Sequence, residues 1–388
     1  MHNKTARLKE GLGKAALIIG SLLLTYSLVG GLFLVYGPTI AWRSINIFPT
    51  AATLPWQPSG PKAASEPYIA IIGDSYAVGT GDWDASRRSR HEPFYSGDVI
   101  AEQIGTPVLS FGKNRGSSIG AMVVNPGRII TAGSCFLLQS PPPPKSVVVY
   151  VYEGNDFNNN LQDLQSAQTS QATKRDVQEL IAARSSAASD VPCYVQINEL
   201  AINLVGVVAK SLLRREQPHP GTSGQPVKQG QATTYLPHRL QGPALELDEA
   251  ALERAFEVLS QSLAHLVARF PGVPVLVVHL PSVLTPYQLL GETVSIQTYH
   301  GGEELQPTQS VRERSNLLCT RLHSVVLATG AHFLDARPAL SRVAAQQMIH
   351  GPRDWKHLNR AGQTALGTSV AKALKQPSAE RECANPLP

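Results

Sequence analysis

The sequence predicts a three-layer α/β fold on a mainly parallel five-stranded sheet, preceded by one N-terminal transmembrane helix. Three observations carry this. Five short apolar runs recur along the chain, each near-continuous rather than alternating, the pattern of parallel strands covered on both faces. Helical patterns lie between them, as crossovers of a parallel sheet require. A long run without a charged residue precedes them all.

The five strands are expected at 68–73 (YIAIIG), 107–112 (PVLSFG), 146–152 (SVVVYVY), 273–280 (VPVLVVHL) and 331–336 (AHFLDA). The clearest helix follows Asp248, a residue suited to accept from free N–H groups at a helix start. Leu252, Phe256, Leu259, Leu263 and Leu266 form one apolar stripe along it. A second helix is expected over 311–329, stopping at Gly330, and a third after His357 with Leu366, Val370 and Leu374 facing inward.

The first 14 residues hold four cations and one acid, a net +3 of the chain's formal +5. The remainder is close to neutral at +2, so charge gives no footprint for nucleic acid. Residues 15–36 contain no charge and would span about 33 Å as a helix, enough for a bilayer core. The rival is a cleaved signal peptide, whose apolar region is shorter and ends at a small-residue cleavage site. With an anchor, residues 1–14 form a cytoplasmic basic arm and the rest faces outward. Residues 37–66 are rich in Pro, Ala and Ser and read as a tether, 67–376 as the catalytic-type domain, and 377–388 as a tail. Within the domain, 157–247 is an insertion. It holds an apolar helix at 197–213, read as a core or lid helix, and a stretch at 216–243 read as a mobile loop. Cys135, Cys193, Cys319 and Cys383 allow up to two disulfides in an exported domain, with three connectivities. Cys135 and Cys319 fit equally well as small buried apolar residues. None has zinc-like spacing, and no metal or other cofactor is expected.

Ligands of an open α/β sheet sit outside the carboxyl ends of the strands. Gly73-Asp74-Ser75 follows the first expected strand, Gly112 ends the second, and Glu153-Gly154-Asn155-Asp156 follows the third. Asp354 and His357 come after the fifth. A serine hydroxyl needs an adjacent base to attack, which His357 can be. An acid three residues earlier, Asp354, can fix the imidazole tautomer. Fixed donors must meet the negative charge that develops on the substrate oxygen. The backbone N–H groups of Ser75 and Gly112 and the side chain of Asn155 are the candidates. Each piece alone is commonplace: Gly-Asp-Ser is an ordinary turn and cap, and Asp-x-x-His can cap a helix. Their order and placement together point to serine catalysis.

These residues resemble the SGNH (GDSL-like) hydrolase family. Gly73, Asp74, Ser75 and Gly79 match its first block, Gly112 (rather than Gly116) its second, Asn155 its third, and Asp354 with His357 its last. The resemblance implies a flavodoxin-like sheet with Ser75 as nucleophile, His357 as base and Asp354 as its orienter. It also implies an oxyanion hole from Ser75, Gly112 and Asn155. One departure stands out: Glu153 occupies the place of the third-block glycine, a change expected to reshape the pocket wall. Trp83, Arg115 and His279 are candidate substrate contacts: a sugar-stacking ring, an anion-binding guanidinium and a pocket wall. Each also has a plain reading, in packing or as a solvated loop residue, and His91 reads as surface. The function expected is an ester hydrolase working through an acyl-serine, with O-acylated envelope glycans as plausible substrates. An O-acyltransferase using the same triad, and a non-catalytic glycan-binding or assembly protein, are the alternatives.

Overall fold

The computed structural model of the chain describes residues 66–81, 95–136, 142–167, 173–189, 224–352, 354–376 and 382–384, and isolated positions 17, 20, 21, 24 and 57. The chain divides into two units, Met1–Ser44 and Ile45–Pro388. In the first, Leu17, Gly20, Ser21 and Leu24 are helical; the rest of the expected anchor lies outside the described residues. Among the described residues no helix is long and apolar enough to cross a membrane.

The second unit is built on a five-stranded sheet in the order β11-β7-β3-β1-β2. Its strands are β1 (Ile69–Ile72), β2 (Val108–Ser110), β3 (Ser146–Tyr152), β7 (Val275–Leu280) and β11 (His332–Asp335). Every pairing is parallel. All five expected runs therefore form strands. Alternate residues of each strand feed opposite faces. Ala70, Ile72, Val149 and Val277 pack under α6 (Glu249–Arg269) and α7 (Thr308–Ala328). Ile69, Ile71, Val148 and Val278 pack under α2 (Ser96–Ile104), α8 (Arg337–Ala344) and α9 (Arg360–Lys375). Burial on both faces is why the runs are apolar throughout. Asp248 accepts from Ala251 N at 2.7 Å at the start of α6, and its Leu252–Leu266 stripe is buried. Asn359 does the same for α9 through Gly362 N.

Three expectations change. Residues 224–241, expected to be a mobile loop, form β4 (Gln225–Gln229), β5 (Ala232–Leu236) and β6 (Leu240–Gln241). β4 pairs with both β5 and β8 (Gln288–Leu289), and β6 pairs with β9 (Thr293–Gln297), which pairs with β10 (Glu303–Pro307). The polar composition hides a hairpin of which only Val227, Leu236 and Leu240 need burial. The tether is docked at Gln57, whose side chain accepts from Ser110 N and donates to Ser110 O, completing the edge of β2. The tail is fastened: Cys319 on α7 is bonded to Cys383, 64 residues away. Cys193 and the expected helix 197–213 lie outside the described residues, as does the side chain of Cys135.

A crosslink over that span removes unfolded-chain entropy amounting to about 4 kcal/mol. Replacing both Cys319 and Cys383 by serine is therefore expected to lower unfolding stability by about 2–5 kcal/mol, read from denaturant midpoints.

Candidate active site

Ser75 begins α1 (Ser75–Val78), a single turn starting two residues after β1 ends. Gly73 makes that junction possible. Its φ is +151°, and a Cβ there would stand 2.8 Å from Tyr150 O. Asp74 caps α1, accepting from Tyr76 N at 2.9 Å. Gly112, at the end of β2, is pressed against α1: a Cβ would come within 2.3 Å of Val78 N.

His357 reaches Ser75 from the far end of the chain. Its Nε2 is 2.9 Å from Ser75 Oγ, and its Nδ1 is 2.7 Å from Asp354 Oδ2. The other oxygen of Asp354 accepts from Lys356 N at 2.8 Å, which sets the carboxylate's orientation. With Nδ1–H given to Asp354, Nε2 is left as the acceptor for the serine proton. Burial alone would raise the Asp354 carboxyl. The hydrogen bond and charge of His357, with the backbone N–H groups, outweigh it and hold the carboxyl below its usual value. The loop is clamped to α1 as well: Tyr76 OH donates to Lys356 O at 3.0 Å, and its ring lies 5.4 Å from the imidazole.

Ser75 has a second neighbour that the sequence reading missed. Its hydroxyl also lies 3.1 Å from Asp74 Oδ2, so Asp74 and His357 compete for one proton. Asp74 is fully buried, and burial raises its carboxyl against the opposing pull of Tyr76 N–H and His357. Asp156 is buried nearby and is held well above the usual carboxylate range by burial and by the charge of Asp74. The signal in the sequence was their position: each acid adjoins a chemically useful residue at a strand's carboxyl end.

The three expected oxyanion donors differ. Asn155 ends the β3 turn before α4 (Asp156–Ser166); its side chain makes no capping bond, and its Oδ1 is buried without a partner. Gly112 N–H donates to Ser110 Oγ at 3.2 Å. The backbone N–H of Ser75 supports the Asp74 carboxylate. Of the three, the Asn155 side-chain amide is the donor that a substitution removes without altering the backbone. Asn155→Ala is expected to lower kcat for an ester about 10²–10³-fold with little change in stability, checked by steady-state kinetics beside a melting curve.

Of the candidate substrate contacts, Arg115 lies exposed on the loop after β2 with φ +56°. Trp83 and His91 lie outside the described residues. His279 is not on a pocket wall. It is fully buried, with Nε2 3.0 Å from Glu153 Oε2 and Nδ1 3.8 Å from Asp335 Oδ1. Glu153 likewise turns inward instead of reshaping the wall. It accepts from Ser282 N (2.7 Å), Thr285 Oγ1 (2.5 Å) and Ser315 Oγ (2.8 Å). Arg337 closes the far side, holding both oxygens of Asp335. A charged side chain inside an otherwise apolar strand, as in VLVVHL, was the available sign that partners must exist.

His279, Cys319 and Asp335 bring ligand-type atoms within 4.8 Å of one another. They do not suit a cation: the sulfur is bonded to Cys383, and the carboxylate is taken by Arg337.

No protein-family model matches the chain, and no curated protein does. Among solved structures, phospholipase A1 from Streptomyces albidoflavus NA297 is similar at 15% identity and a TM-score of 0.37, over 80% of this chain and 99% of that one. Est24, a carbohydrate acetylesterase from Sinorhizobium meliloti, is similar at 13% identity and 0.33, over 80% and 99%. A carbohydrate esterase family 2 enzyme with a carbohydrate binding domain from Corynascus thermopiles (Myceliophthora fergusii) is similar at 14% identity and 0.36, over 80% and 66%.

Proposed function

We propose that this chain is a serine-dependent ester hydrolase of the SGNH type. The observation that carries the reading is the continuous relay Ser75 Oγ–His357 Nε2, His357 Nδ1–Asp354 Oδ2, at 2.9 and 2.7 Å. In the first half-reaction Ser75 Oγ attacks the ester carbonyl while its proton passes to His357 Nε2. Asp354 stabilises the imidazolium. The tetrahedral oxyanion collapses, expelling the alkoxide, which takes the proton from His357. Water then repeats the sequence on the acyl-serine and releases the acid.

We further propose that the uncharged run 15–36 anchors the chain in a membrane with the domain on the outer side. The net charge of +3 before that run supports this orientation. The Cys319–Cys383 bridge supports it too, since disulfides persist in oxidising compartments. O-acylated envelope glycans are then within reach as substrates.

The test is product analysis with the full chain in detergent, using p-nitrophenyl acetate and an added oligosaccharide. Free acetate formed in proportion to nitrophenol is the expected result. Acetyl transfer to the sugar hydroxyl without free acetate would overturn hydrolysis in favour of acyl transfer.

A further inference from the structure

A groove of about 900 Å³ runs between α8 and α9. Arg342, Arg360 and Lys372 line it, over a floor that includes Val343, Met348 and Ala365. It begins beside the candidate active site. Its lining includes Gly351, whose N–H donates to Asp354 O, and Asn359, two residues after His357. Its one lining carboxylate, Asp335, is already held by Arg337.

Three of its lining residues are cations, Arg342, Arg360 and Lys372. In sequence, residues 335–376 contain seven Lys and Arg against two acids, Asp335 and Asp354, a net +5. The whole chain carries +5, so the other 346 residues sum to zero. Neither α8 nor α9 contains an acid. On α9, Arg360, Thr364, Thr368 and Lys372 all line the groove and recur every four residues, one stripe of about 18 Å. A cation stands at each end with hydroxyls between. Thr368 Oγ1 accepts from Gln103 Nε2 at 3.0 Å, which leaves its own O–H to donate.

We propose that this groove binds an extended, carboxylate-bearing carbohydrate chain whose acyl ester is presented to Ser75. The inference rests on the ester-hydrolase reading and names its substrate class. A cleft of one sign concentrates and steers oppositely charged ligands. A cation at each end of the stripe with hydroxyls between them suits a polymer carrying both carboxylates and hydroxyl groups. Among the described residues no aromatic side chain lines the groove, which leaves the bases of a single-stranded nucleic acid without a stacking platform there. A flat lipid surface fits less well than a chain. The site is concave, and none of the large exposed apolar side chains among the described residues of this unit (Tyr235, Leu290, Leu305, Leu317 and Leu327) lines it.

The test uses the full chain in detergent and four probes: polygalacturonate oligomers, neutral dextran, a single-stranded oligonucleotide and short-chain phosphatidylglycerol. Wild type is expected to bind polygalacturonate in preference to the others, with affinity falling as salt rises. Arg342→Ala/Lys372→Ala is expected to bind it about tenfold more weakly while hydrolysing p-nitrophenyl acetate at the wild-type rate. Equal polygalacturonate affinity in wild type and the double variant would overturn the proposal. So would tighter binding of dextran, oligonucleotide or phosphatidylglycerol. Charge-dependent polygalacturonate binding in a protein that hydrolyses no ester would leave the groove assignment standing and remove the hydrolase reading instead.

Discussion

Ser75→Ala is expected to lower ester turnover by about 10⁴–10⁶-fold and to change unfolding stability by no more than about 1 kcal/mol. The two effects separate because the hydroxyl has chemical partners but little packing. It touches Asp74 Oδ2 at 3.1 Å and His357 Nε2 at 2.9 Å. The junction itself is held by Gly73, by the Asp74 cap on Tyr76 N and by the buried Tyr76. None of these needs the hydroxyl. His357→Ala is expected to cost a similar factor. The double variant should be no slower than either single one, because nucleophile and base act as a unit. Steady-state turnover of p-nitrophenyl acetate and a denaturant melt for each variant check both halves of this prediction.

Glu153→Gly, which installs the residue the SGNH pattern expects, lowers stability by about 3–5 kcal/mol. The glutamate is fully buried and accepts from three donors besides facing His279. Deleting it leaves Ser282 N and Thr285 Oγ1 without this acceptor in the interior, and the imidazole with Asp335 alone. His279→Leu in the Glu153→Gly background should recover part of the loss, since removing both members of a buried pair costs less than removing one. Burial alone would raise Glu153, but the His279 hydrogen bond and charge hold its carboxyl below the usual value. Burial would lower His279, but Asp335 and Glu153 raise it. The signs follow. The Glu153 contribution is present above the ordinary carboxylate range and is lost as pH falls through the lowered value. The His279 contribution is complete below about pH 6.5 and is lost as pH rises through the raised value. The stability difference between wild type and His279→Gln should therefore narrow on the alkaline side, read from melts between pH 6 and 9.

The sheet was legible because both of its faces are buried, which leaves strands such as SVVVYVY with no polar residue to disguise them. The long helices were legible for the converse reason: one face is buried, so Leu252 to Leu266 mark it. Hairpin β4–β5 was not, because a marginal sheet on the domain surface buries only Val227 and Leu236 among many polar residues. In the site, Ser75, Asp354 and His357 could be placed from local pattern, since strand ends converge at one rim. The inward turn of Glu153 depends on neighbours far away in the chain, His279, Ser282, Thr285 and Ser315. Only the packed fold supplies them. The α8–α9 groove also forms only where the two helices lie side by side, although its cations all fall within residues 342–372.

The central claim is that Ser75 is a nucleophile activated by His357. It is tested most directly by treating the full chain in detergent with a fluorophosphonate probe and mapping the adduct by peptide mass spectrometry. The account predicts one adduct, on Ser75, absent in Ser75→Ala and strongly slowed in His357→Ala. A folded wild-type protein that takes no label, or takes it equally well after Ser75→Ala, would contradict it.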